Sequence, residues 1–142
     1  MRFLVVDDSK VFATLFQHIL SEAGHDVRVE TDSRIALAAC VDYQPDCILL
    51  DLMMPGVDGF TLLRDIRNEY TIADTRVIIV SAKPYDADRK RAQQLGANGF
   101  INKTSERDVL LDRITQILDD RLRINFWGVR GTLPVPGEDS LR

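Results

Sequence analysis

Residues 47–59 read Cys47-Ile48-Leu49-Leu50-Asp51-Leu52-Met53-Met54-Pro55-Gly56-Val57-Asp58-Gly59. A run of consecutive apolar residues that stops at an acid describes a strand buried on both faces, with a carboxylate delivered to its end. The same construction recurs along the chain. Phe3-Leu4-Val5-Val6 runs into Asp7-Asp8, Val77-Ile78-Ile79-Val80 runs into Ser81, and the shorter Phe100-Ile101 precedes Lys103. A fifth segment, Val27-Arg28-Val29-Glu30, alternates apolar with polar, as a strand exposed on one side does, and is placed at a sheet edge.

Helical spacing fills the intervals. Val11, Leu15 and Ile19 mark one apolar face, Phe60, Leu63, Ile66 and Tyr70 a second, and Val109, Leu110, Ile114, Ile117 and Leu118 a third. The alanine-rich stretch from Ser33 to Tyr43 opens on the capping candidates Asp32 and Ser33, and the charged stretch from Asp86 to Leu95 closes on Gly96. Gly24 ends the first helix at a left-handed position that glycine takes without strain. Strand followed by helix, five times over, predicts an α/β domain: a doubly wound, five-stranded parallel sheet with helices on both faces. That pattern holds over residues 1–121. Residues 122–142 form a separate linker or tail, in which Arg123 to Val129 is strand-like and Gly131, Pro134, Pro136 and Gly137 follow.

The 142 residues amount to one average domain, able to bury roughly two-thirds of its unfolded surface. With 45% hydrophobic and 28% charged residues, the composition excludes disordered, collagen-like and disulfide-scaffold classes. No apolar run approaches the roughly 20 residues that cross a bilayer. The start, Met1-Arg2 and then four apolar residues before Asp7, is too short for a signal peptide, so the expected location is cytoplasmic. A net charge of −4 without a block of like charges argues against nucleic acid as a partner. Cys40 and Cys47 have neither CxxC nor zinc spacing and read as reduced core thiols. His18 and His25 have no second ligand at metal spacing.

In an open α/β sheet, ligands bind outside the carboxyl ends of the strands. The polar residues there are Asp7, Asp8, Asp51, Ser81 and Lys103, with none from the second strand. Three converging carboxylates repel one another and raise their own pKa values unless a positive charge joins them. Oxygen-only ligands select a hard cation, which points to Mg²⁺. With Lys103 on the opposite side, metal and ammonium would neutralise a transferring phosphoryl group attacked by an aspartate, and Ser81 would hydrogen-bond the product. Taken singly, each residue is an ordinary cap, turn or surface charge. Capping does not predict all five at the strand ends.

This set resembles the receiver domain of two-component response regulators, over residues 1 to about 121: Asp7-Asp8, Asp51 to Gly59, Ser81-Ala82 and Lys103. The resemblance implies a flavodoxin-like sheet of strand order 2-1-3-4-5. It implies that Asp51 accepts a phosphoryl group from a histidine of a sensor kinase or phosphotransfer protein, and that the domain catalyses only this transfer and its reversal by hydrolysis. Asp8 would bind magnesium directly, Asp7 mainly through water, and the Met53 backbone carbonyl would add an oxygen beside Asp51. Ser81 and Phe100 would form a switch pair that repacks the face of helix four, strand five and helix five. That face would control an output domain in cis or a partner, or form a homodimer. Phe100 also reads as a plain core aromatic. Lys83 and Met53 occupy positions that in this family influence phosphoryl lifetime. The family usually has proline after the lysine. Here the residue is Thr104, and because a non-proline cis bond costs about 3–4 kcal/mol, a trans peptide is expected.

Competing readings fare worse. A flavodoxin-type flavin binder wants a hydroxyl- and glycine-rich loop where Asp7-Asp8-Ser9-Lys10 stands, and a haloacid-dehalogenase-type phosphatase wants Asp-x-Asp there. Neither GxGxxG nor GxxxxGK[ST] occurs. A phosphorylation-independent, receiver-like interaction module remains the alternative, and the intact five-residue set argues against it. The tail from Ile124 to Gly137 resembles the opening strand and loop of metallo-β-lactamase-fold hydrolases, against the alternative of a plain C-terminal extension. Phe126 and Trp127 are costly to leave in water, which favours the start of a truncated output domain. No hydrolase metal site lies in these residues.

Overall fold

The computed structural model describes residues 1–83, 85–104 and 106–119. Five strands, β1 (Arg2–Val6), β2 (Asp26–Glu30), β3 (Cys47–Asp51), β4 (Arg76–Ser81) and β5 (Gly99–Asn102), pair in parallel in the order β2-β1-β3-β4-β5. Helices α1 (Lys10–Glu22), α2 (Ala36–Tyr43), α3 (Gly59–Asn68), α4 (Asp86–Gln94) and α5 (Arg107–Leu118) connect and follow them. The alternating strand is β2, at the edge as expected. Among the described residues no helix is long and apolar enough to cross a membrane. The boundary near residue 121 and the hydrolase-like tail lie outside the described residues.

Side chains alternate across a strand, so each apolar run serves two cores. Leu4, Val6, Ile48, Leu50, Val77, Ile79 and Phe100 face α2, α3 and α4. Phe3, Val5, Cys47, Leu49, Ile78, Val80 and Ile101 face α1 and α5. Burial on both sides is why these runs carry no polar residue.

Helix faces differ from the spacing reading in detail. The buried stripe of α1 is Ala13, Phe16, Ile19 and Leu20, whereas Val11 is 77% exposed. At about 100° per residue, Val11 falls on the far side of the cylinder from that stripe. Tyr70 is not on α3 at all. Glu69 takes an extended conformation that ends the helix, and Tyr70 opens a short 3-10 turn with its side chain 92% exposed, leaving Ile72 to enter the core. Val109 also faces outward, and Leu110, Ile114 and Ile117 carry the packing of α5. The stretch from Ser33 divides into a 3-10 turn capped by Asp32, whose carboxylate accepts the Arg34 N–H, and α2 beginning at Ala36. Gly24 and Gly96, after α1 and α4, both take φ of +94°.

Cys40 and Cys47 are free, buried and on opposite sides of the sheet. Burial pushes the Cys40 thiol up to about 12 and raises that of Cys47 as well. Neither thiol should react with Ellman's reagent at pH 8 in the native protein, and both should react once it is unfolded. Rapid native labelling of either would contradict the packing.

The end of β3 is fixed by a close approach. The Gly59 N–H donates to the Leu52 carbonyl at 3.0 Å. A Cβ at Gly59 would lie 2.5 Å from the Asp51 carbonyl oxygen and 2.7 Å from Leu52 Cα. Asp58 caps α3 there, accepting the Thr61 N–H at 2.9 Å. Gly59→Ala should therefore cost about 1–3 kcal/mol through overpacking against backbone. It should lower the urea midpoint without changing the denaturant slope, and an unchanged midpoint would refute the contact.

Candidate functional site

Register brings the polar residues together. Val6 pairs with Leu50, Asp51 with Val80 and Ser81 with Asn102, so the residues at the carboxyl ends of β1, β3, β4 and β5 share one edge. Two backbone bonds carry this order one residue past the strands. Asp7 N–H donates to the Glu30 carbonyl at 3.2 Å, and Lys103 N–H donates to the Ser81 carbonyl at 2.7 Å. The edge strand β2 thus contributes a backbone acceptor rather than a side chain.

The carboxylate oxygens of Asp7, Asp8 and Asp51 lie within 4.8 Å of one another, with Asp7 and Asp51 buried and Asp8 exposed. Lys103 Nζ stands 2.8 Å from Asp7 Oδ2 and 3.5 Å from Asp51 Oδ1. The Phe12 ring of α1 lies beneath it, 4.6 Å from Nζ to the ring centroid, a cation–π arrangement that holds the ammonium from its apolar side. Asp7 Oδ1 accepts the Ser9 N–H at 2.9 Å. Its buried Oδ2 pairs with the Lys103 ammonium and has no further hydrogen-bond donor among the described residues. Burial first and the Asp7 charge second push Asp51 up to about 7, against the lowering effects of Lys103 and the Met53 N–H. One ammonium therefore leaves three clustered carboxylates with an excess of negative charge. The excess negative charge and the all-oxygen donor set fit a hard divalent cation.

Ser81 is buried, and its hydroxyl donates to the Lys83 carbonyl and accepts the Lys83 N–H, both at 3.1 Å. Phe100 is fully buried among the residues facing α2, α3 and α4, with the Arg89 guanidinium 4.8 Å over its ring. The Met53 side chain is 71% exposed. No cis peptide occurs among the described residues, so Lys103–Thr104 is trans. Thr104 Oγ1 accepts the Glu106 N–H at 3.3 Å. The backbone bond to Ser81 and the ion pairs locate Lys103 without a following proline. Phe12 is a site residue that the sequence does not announce, because it lies off the spacing that marks α1.

A doubly wound sheet with a buried carboxylate centre at its carboxyl edge defines a class of α/β domain built around one acidic site. Within it, this chain belongs to the response regulator receiver domain family, which matches residues 3–115. The DNA-binding dual master transcriptional regulator RpaA of a Synechocystis strain is 33% identical over 117 residues, covering 82% of this chain and 48% of that protein. The response regulator PleD of Caulobacter vibrioides is 33% identical over 124 residues, covering 87% of this chain and 27% of that protein. The chain thus spans about half the length of the first and about a quarter of the second. Chemotaxis protein CheY4 of Vibrio cholerae superposes with a TM-score of 0.78 at 26% identity, over 82% of this chain and 98% of that one. The BeF3-activated N-terminal receiver domain of Klebsiella pneumoniae RstA gives 0.76 at 30% identity, over 84% of this chain and 100% of that one. Receiver domains are signalling domains rather than classical enzymes, bind Mg²⁺ at an acidic pocket, and interact with histidine kinases or phosphotransfer proteins.

The raised Asp51 pKa carries a stability sign. The folded state holds this proton up to about 7, whereas an ordinary aspartate carboxyl loses it near 3.8, so folding binds a proton between those values and stability falls as pH rises through them. In EDTA at pH 8, Asp51→Asn should be more stable than wild type by about 1–3 kcal/mol, with the gain vanishing toward pH 4. Urea titrations at the two pH values check this, and a pH-independent difference would contradict it.

Proposed function

We propose that this chain is a phosphoacceptor receiver in which Asp51 takes a phosphoryl group from a phosphohistidine of a kinase or phosphotransfer protein, with Mg²⁺ required. The observation that carries the reading is the buried Asp51 carboxylate set between Lys103 Nζ, at 3.5 Å, and the Asp7–Asp8 pair. Asp8, Asp51 and the Met53 carbonyl would hold the cation, with Asp7 acting largely through water. Bound there, it would neutralise charge on the phosphoryl oxygens.

The chain's own residues do the rest. An Asp51 oxygen attacks phosphorus in line, the P–N bond to the donor imidazole breaks, and an acyl phosphate forms. Lys103, already buried and held by Asp7 and Phe12, lies close enough to pair with a phosphoryl oxygen without first being desolvated. The Ser81 hydroxyl exchanges its bond to the Lys83 carbonyl for one to the phosphoryl group, and Phe100 packs behind it. Of the residues of α4 only Ala92 is buried, which supports a face of α4, β5 and α5 that repacks at small cost. Through that face the receiver, residues 1–121, would act on a partner, on a second copy, or on an output domain reached through residues 122–142. The lengths of the relatives support the last route.

Acetyl phosphate with Mg²⁺ should label the wild-type chain, and Asp51→Asn or EDTA should abolish labelling, as read by intact mass. Equal labelling of Asp51→Asn would overturn the assignment. With phosphodonor absent, Mg²⁺ at a hundredfold excess over its Kd should stabilise the fold by about 2.7 kcal/mol, and Asp8→Asn should reduce that gain.

A further inference from the structure

Ser33 has no capping work left to do, because Asp32 Oδ1 already accepts the Arg34 N–H at 3.0 Å. Its side chain is nevertheless buried, at 4% exposure. Its Oγ donates to the Pro55 carbonyl at 2.6 Å and accepts the Val57 N–H at 2.9 Å. These two partners flank Gly56, whose φ is +88° and where a Cβ would come within 2.9 Å of the same Oγ. One hydroxyl from the turn before α2 therefore pins both sides of a left-handed turn in the loop between Asp51 and α3. The same loop holds Met53, two residues past Asp51, whose backbone N–H favours the charged Asp51 carboxylate. At its far end the Gly59 N–H returns to Leu52. Alanine at 33 would leave a carbonyl and an N–H without partners at once, and those groups would have to turn toward water.

We propose that Ser33 is a positioning residue for the phosphoacceptor site: its hydroxyl fixes the loop at Pro55 and Val57 and so sets the Met53 backbone against Asp51. The proposal rests on the reading of Asp51 as phosphoacceptor. Ser33 touches neither Asp51 nor a bound group. Its effect is on where the Met53 amide and carbonyl stand, and therefore on how tightly the site takes a cation. Residues in the shell around a metal site typically change its affinity by about tenfold or more when removed.

The test compares wild type, Ser33→Ala and Asp51→Asn, using MgCl₂ alone followed by amide NMR and then acetyl phosphate at saturating Mg²⁺. Ser33→Ala is expected to bind Mg²⁺ about tenfold more weakly, with the shift changes centred on Met53 and Val57, and to approach the wild-type labelling rate once Mg²⁺ saturates. A merely structural role would lower the urea midpoint and leave the Mg²⁺ affinity of the folded variant unchanged, and that result overturns the proposal. If Ser33→Ala does not fold, hydrogen exchange on wild type decides: the Val57 amide should be protected and its exchange should slow further with Mg²⁺, whereas an unprotected Val57 overturns the clamp. Failure of the underlying reading looks different, because wild type itself would then take up no label or Asp51→Asn would take up as much.

Discussion

Everything at the functional edge depends on keeping like charges close together in a place with little water. Asp7 and Asp51 are buried, Asp8 stands beside them, and Lys103 is the ammonium among them. Buried charges of this kind rarely add net stability, since desolvation costs as much as pairing returns. The surrounding fold supplies the difference. Three central strands with no polar residue inside them, covered by helices on both sides, hold the edge in register while it carries an unfavourable charge distribution. The site is poised rather than relaxed: a divalent cation bound among its oxygens would offset the excess negative charge.

The positional precision comes from backbone more than from side chains. Asp7 and Lys103 each sit one residue beyond a strand and are still hydrogen-bonded to the neighbouring chain, through Glu30 and Ser81. Asp51 is held by its place at the end of β3 and by the close return of the chain at Gly59, whose N–H donates to the Leu52 carbonyl. The nearby switch candidates are held less firmly. The Ser81 hydroxyl bonds only within its own loop, and Phe100 is roofed by Arg89, whose Nη1 is buried without a hydrogen-bond acceptor among the described residues. Rigid acid groups beside weakly committed neighbours are what a reaction that changes shape needs.

How much of this was legible beforehand follows from the range of each interaction. Strands buried on both faces announce themselves as unbroken apolar runs and an edge strand as alternation, so all five strands, the edge placement of β2 and the polar residues after the runs could be read in advance. Helix faces were less secure. Val11 and Tyr70 match the spacing of a stripe but stand in solvent, because spacing alone does not say which way a helix rolls or where an extended residue such as Glu69 stops it. Phe12 under Lys103 and Ser33 across the Pro55–Val57 turn were invisible for a different reason. Their partners lie 91 and 22 to 24 positions away, and no local pattern encodes such pairs.

The alternation of β5 has an architectural consequence. Phe100 belongs to the core beneath α2, α3 and α4, whereas its neighbour Ile101 belongs to the core beneath α1 and α5. The sheet is therefore a partition between two separately filled compartments. A change in the space occupied by Phe100 is felt first by α4, while the packing of Phe16, Ile19, Leu110 and Ile114 on the other side is insulated from it by a layer of backbone. Such a wall lets the packing on one face of the sheet vary with little effect on the packing on the other.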